Sequence, residues 1–119
     1  KRKEITRDEL HMLLKKGFQT EDIHSEYGMT ELLSQAYSKE NGIFKSNASL
    51  KVFVRDINNP LSIKKSGKGA LNFIDLSNIN SCSFVASEDV GEVYSNGDFK
   101  VLGRMDESEI RGCNLMFNQ

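Results

Sequence analysis

The chain has 119 residues, with 16 Lys plus Arg against 17 Asp plus Glu and a net charge of -1. That length suits one domain burying roughly two thirds of the surface its unfolded chain exposes, and the near-neutral balance excludes a broad attraction to nucleic acid or anionic membrane. Two cysteines without CxxC spacing argue against a disulfide framework or thiolate zinc site, and KRKE at the start leads into no apolar stretch, so neither signal peptide nor membrane span is expected. Free thiols suit a reducing cytoplasm. A first residue other than Met, followed almost at once by helical pattern, reads as a segment cut from a longer chain.

In chain order, Thr6 and Glu9 have capping-box spacing, and Ile5, Leu10, Leu13, Leu14 and Phe18 fall on one helical face, which predicts a helix over 7–16 with Gly17 as its stop. A brief strand at 22–26 should follow. The YGMTE turn comes next, then one helical turn opened by Thr30 and Glu31 through Leu32 and Leu33, and an extended piece near Ala36 and Tyr37. From residue 50 the apolar period becomes two: Leu50, Val52 and Val54 predict a strand ended by the turn NNP at 58–60. Leu71, Phe73 and Asp75 mark a second strand, and CSFVA at 82–86 a third. Asn96-Gly97 predicts a hairpin over 92–103, with both residues at the positive φ of a type I′ turn. One helix followed by antiparallel strands gives an α+β class with a small sheet or distorted barrel.

Chemistry concentrates in few places. SGKGA at 66–70 lacks phosphate-loop spacing and reads as a strand connection. His11 and His24 have no second ligand at metal spacing. In YGMTE, by contrast, every member has a use. The Tyr27 ring can stack on a base, Gly28 lets backbone approach a ligand, Thr30 offers a hydroxyl to a phosphate, and Glu31 offers a carboxylate to Mg²⁺. A plain turn, with Thr30 as helix cap and Glu31 in the first helical turn, explains the same residues. SEDVG at 87–91 places Asp89 at a strand edge, where a carboxylate can accept two hydrogen bonds from a ribose diol, and LGRMDESEIRG at 102–112 is dense in charge and bounded by glycines, the pattern of a solvated loop or a hinge.

YGMTE at 27–31, SEDVG at 87–91 and GRMDESEIRG at 103–112 resemble, in that order, three consecutive signature motifs of the adenylate-forming superfamily, and HSEYGMTELLSQAYS at 24–38, VRDINNPLS at 54–62, IDLSNINSCSF at 74–84 and GRMDESEIRGCNLM at 103–116 carry a narrower likeness within it. Nearly the whole chain resembles the C-terminal part of its LuxE-type acyl-protein synthetases, the synthetase component of a bacterial fatty acid reductase linked to bioluminescence. The resemblance implies ATP and Mg²⁺ as cofactors, a fatty or related carboxylic acid as substrate, and an acyl-CoA reductase, with acyl-transferase subunits, as partners. It implies that Tyr27 stacks on adenine, Gly28 lies at the nucleotide, Thr30 touches the α-phosphate and Glu31 holds Mg²⁺. Asp89 would bind the ribose, Arg104 the ribose or phosphate, Asp106 would be a hinge, and Cys113 would accept the acyl group.

Cys113, after Arg111, also fits a mobile thiolate near positive charge, whereas Cys82 reads as a small buried residue in a strand. Residues 1–103 would belong to the main domain and 104–119 to a hinge and short lid. The superfamily's phosphate-clasping loop and acyl pocket are not in this sequence, so the chain by itself is expected to be inactive, and its unpaired edge and apolar helix face to drive self-association. Two alternatives stay open: an AMP-forming acyl-CoA or aryl-CoA ligase, and a non-catalytic partner-binding module.

Overall fold

The computed structural model describes residues 5–105. Helix α1 (Arg7–Phe18) opens with the expected capping box: Thr6 Oγ1 accepts from the Glu9 amide at 3.2 Å, and Glu9 accepts from the Thr6 amide at 2.8 Å. The helix runs through Gly17 instead of stopping there, and Gln19 closes it in the left-handed conformation, its amide bonded to the Lys15 carbonyl. Its expected apolar face is largely uncovered. Phe18 is 75% exposed, and no α1 residue is buried. The helix instead leans on the fold through His11 Nε2 to Ser25 Oγ at 3.0 Å, Asp8 to Lys100 at 3.4 Å, and the Arg7 guanidinium over the Phe44 ring at 5.1 Å.

Two short strands, β1 (Ser25–Tyr27) and β2 (Ala36–Ser38), pair antiparallel. A larger antiparallel sheet holds β3 (Ile43–Phe44), β4 (Leu50–Arg55), β5 (Ile63–Lys64), β6 (Gly67–Asp75), β7 (Phe84–Val93) and β8 (Phe99–Arg104), in the order β3-β8-β7-β6-β4-β5. The class is therefore α+β. The sheet is open, with β3 and β5 each paired on one side only, so the distorted-barrel alternative is corrected to an open sheet.

Alternation decides which side faces the core. Leu50, Val52 and Val54 of β4, Leu71 and Phe73 of β6, and Phe99 and Val101 of β8 are buried together, covered by Tyr27, Leu32 and Ala36 from the β1–β2 layer. At the centre four aromatic rings stack and tilt against one another: Tyr27, Phe44, Phe73 and Phe99, with centroids 5.3–6.1 Å apart.

Several local expectations need correction. Within SGKGA, Gly67 to Ala70 are the start of β6 itself. Thr30 and Glu31 open no helix; Leu32 donates back to the Met29 carbonyl in a simple turn, and the next two amides are bound elsewhere. The 92–103 hairpin forms, but Asn96 does not take positive φ; Gly97 alone does, at 90°. Tyr94 and Asp98 pair through the Tyr94 amide at 2.8 Å around a three-residue loop, 95–97, closed by the Gly97 amide to the Tyr94 carbonyl. The cause is local. Asn96 accepts from the Asp98 amide and donates to its carboxylate, which favours a type I turn with a glycine bulge over type I′. Cys82, expected buried, is exposed, because β7 starts only at Phe84 and residues 79–83 form the link from a 3₁₀ turn (Leu76–Asn78).

Candidate functional site: a cleft between the YGMTE turn and strand β7

Strand β7 does not run evenly along β6. Ala70 pairs with Val90 and Asn72 with Ala86, so Leu71 alone faces Ser87, Glu88 and Asp89. The surplus bulges out of the ladder. Bulges re-aim side chains, and this one is held from three sides: Ser87 Oγ donates to the Leu71 carbonyl at 2.8 Å and accepts the Asp89 amide at 3.2 Å, while Arg55 reaches the Ser87 carbonyl at 2.9 Å. On the other flank Val90 pairs with Gly103 but Gly91 with Val101, which leaves Leu102 as an extra residue in β8. Gly91 lies so close to β8 that a Cβ would run into the Lys100 carbonyl oxygen. Asp89, expected at the edge of a strand, lies in a bulge within one.

Opposite the bulge stands the turn after β1. Its path is fixed from below by Asp75, at the end of β6, which is fully buried and accepts four hydrogen bonds. Oδ2 takes the amides of Leu33 and Ser34, both at 2.8 Å; Oδ1 takes the Ser34 hydroxyl at 2.7 Å and the Ser77 amide at 3.0 Å. Burial raises the Asp75 pKa, but the Ser34, Ser77 and Leu33 hydrogen bonds outweigh it and hold the carboxyl below the usual range. Asn78 adds a bond to the Glu31 carbonyl at 3.1 Å. Thr30 and Glu31 themselves are exposed, at the top of this anchored turn.

Between turn and bulge lies a cleft of about 660 Å³ whose lining includes Gly28, Thr30, Glu31, Asp89 and Arg104. Five residues singled out from sequence thus share one concavity, although they are spread from position 28 to 104. The cleft offers a hydroxyl, carboxylates and a guanidinium. It can accept from ligand hydroxyls on one side and meet an anion on the other. Arg104, 73% exposed, rests 3.6 Å from the equally open Glu88, a pair so solvated that an anionic ligand could take its place at small cost.

Tyr27 is placed differently from the stacking role. Only 6% of it is exposed, and its ring packs against Phe44, Phe73 and Phe99. No face is open to a base. Its hydroxyl instead donates to Asp89 Oδ2 at 2.5 Å, and burial first, then Asp89, push the phenol pKa well above its ordinary value. Asp106 and Cys113 lie outside the described residues. Among the described residues no three His, Cys, Asp or Glu side chains cluster as a metal site, and no helix is long and apolar enough to cross a membrane.

Sequence reasoning missed Asp75, Ser87 and Arg55. Asp75 had a signal, since an acid on the core-facing phase of an alternating strand must find buried donors. Ser87 and Arg55 had none, because the bulge that gives them their partners is a register property of two strands. Compared with known proteins, the chain matches no family model, no curated protein and no solved structure.

Proposed function

We propose that this chain is the C-terminal portion of an adenylate-forming enzyme of the LuxE acyl-protein synthetase type, and that the cleft between the YGMTE turn and the β7 bulge seats the adenylate. The observation that carries this reading is the convergence of Thr30, Glu31, Asp89 and Arg104 on one cleft. In it Asp89 accepts from the ribose hydroxyls, the Thr30 hydroxyl donates to the α-phosphate, and Arg104 supplies positive charge beside it. Glu31 fits a Mg²⁺ ion as its single protein carboxylate, since Mg²⁺ keeps several waters and shares the nucleotide's phosphate oxygens. The ion would neutralise phosphate charge there.

In this proposal the carboxylate of a fatty or related acid attacks the α-phosphorus of ATP and pyrophosphate leaves, giving acyl-AMP, in which AMP is a far better leaving group from the acyl carbon than the oxygen of a free carboxylate. Positioning and charge stabilisation around the α-phosphate lower the barrier. The Cys113 thiolate then attacks the acyl carbon, a thioester forms as AMP leaves, and the acyl group is delivered to an acyl reductase, in the cytoplasm.

The test uses the full-length protein that carries this chain. Thr30→Ala and Asp89→Asn are each expected to weaken ATP binding about tenfold or more, from a lost hydrogen bond to a charged group. Unchanged affinity in both overturns the nucleotide role. Cys113→Ser should keep acid-dependent pyrophosphate exchange and lose covalent acyl labelling; acyl-CoA formed with no acylated protein would favour the CoA-ligase alternative instead.

The 119-residue chain alone is further expected to self-associate, because Phe18, Met12 and Leu13 on α1 and Phe84 on the outer sheet face are more than half exposed. Light scattering across a concentration series checks this. A monomer throughout would refute it.

A further inference from the structure

We infer that Tyr27 is a positioning residue for the ribose, acting through Asp89; this rests on the adenylate reading above. The cleft has two walls, and Tyr27 touches both. It is the last residue of β1, immediately before the turn that carries Thr30 and Glu31, and its hydroxyl crosses to the bulge to meet Asp89 Oδ2. A ring only 6% exposed and packed against three phenylalanines is closely restrained, so its hydroxyl is held in place.

Asp89 is thereby held at both ends. The Ser87 hydroxyl fixes its amide, Arg55 fixes the Ser87 carbonyl, and Tyr27 fixes one carboxylate oxygen. Arg55 is itself steadied by Asn72 Oδ1 at 2.7 Å. Among the described residues Oδ1 of Asp89 takes no hydrogen bond, so the carboxylate presents one free oxygen at a set angle. A donor pair on a ligand, such as the vicinal hydroxyls of a ribose, meets a preorganised acceptor and need not order it on binding. Without the phenol the carboxylate could swing away to solvent or toward Arg104, its cross-strand partner on β8.

The consequence is selectivity as well as affinity. Contacts to the ribose hydroxyls depend on Tyr27, and contacts to the phosphate do not. Equilibrium binding of AMP and of 2′,3′-dideoxy-AMP to the full-length protein separates the two. Tyr27→Phe, which keeps the ring and removes only the hydroxyl, is expected to weaken AMP about tenfold, the size of one hydrogen bond to a charged group. The same substitution should leave the dideoxy nucleotide unchanged. Asp89→Asn should show the same selective loss, and the double variant should be no weaker than Asp89→Asn alone.

Equal losses for both nucleotides would mean that Tyr27 merely supports the fold, and would overturn the inference, as would unchanged AMP affinity. A wild-type protein that binds neither nucleotide overturns the adenylate reading and the ribose role with it. If Tyr27→Phe fails to fold, Ser87→Ala loosens Asp89 without entering the aromatic core. It should then show the same AMP-selective loss, and an absence of selectivity there also overturns the inference.

Discussion

Replacing Asp75 with alanine is expected to destabilise the protein by about 3–5 kcal/mol, since each buried donor left without its acceptor costs about 1–3 kcal/mol. Four donors lose their acceptor at once, and of the amides of Leu33 and Ser34 the second belongs to a buried residue with little water to turn to. Asp75→Asn should cost clearly less. With its amide oxygen in the Oδ2 position it keeps both of those amides, its NH₂ can donate to the Ser34 hydroxyl, and only the Ser77 amide is left facing a donor. Urea unfolding of the three proteins measures the order wild type, Asn, Ala. A near-neutral Asp75→Ala would show that the carboxylate does not anchor the turn.

The same carboxylate sets the acid limb of stability. Its pKa is held below the unfolded value of about 3.9, so the charged form favours the fold. Its contribution is complete above the unfolded pKa and is lost as pH falls through the folded one. Asp98 adds to this in the same direction: burial raises its pKa, but hydrogen bonds from Lys45 at 3.0 Å and from the Ser46 amide at 3.2 Å outweigh it. Stability measured from pH 6 downward should therefore begin to fall near pH 5 and drop steeply below pH 4, over about the range in which such carboxylates titrate. Asp75→Asn should flatten that limb, and an unchanged slope would assign the acid sensitivity elsewhere.

Phe99→Ala carries the second large effect, about 3–5 kcal/mol for a buried aromatic truncated to a methyl. Phe99 is fully buried and meets Tyr27 at 5.5 Å, Phe44 at 5.3 Å and Phe73 at 6.1 Å, ring centre to ring centre. Loss of the ring leaves a cavity directly beside Tyr27. Phe99→Leu should cost less than half as much, since it refills most of the volume. Thermal melts of the two variants test this, and equal losses would mean that ring geometry, not volume, holds the cluster.

Local rules were legible and register was not. The capping box at Thr6 and Glu9, the alternation through Leu50, Val52 and Val54, and the hairpin around Gly97 each depend on residues a few positions apart, and each formed. Where sequence reading erred, a distant partner had decided the matter. Thr30 and Glu31 failed to open a helix because Asp75, more than forty residues on, binds the amides of Leu33 and Ser34. Tyr27 went to the core because three phenylalanines from separate strands close around it. Cys82 came to the surface because the strand begins two residues later than its apolar run suggested. The gathering of Thr30, Glu31, Asp89 and Arg104 was expected only through the family resemblance; spacing alone offers no route to it, since a two-residue surplus in β7 turns Asp89 toward the cleft.

Helix α1 is fastened in another way from everything around it. A hydroxyl–imidazole contact, a loose ion pair and a guanidinium over a ring hold it, with no side chain driven into the interior. Such fastenings are nearly isoenergetic with hydration. The helix is therefore expected to peel from the sheet at less cost than the aromatic centre opens, so that it behaves as a detachable arm on a more durable sheet.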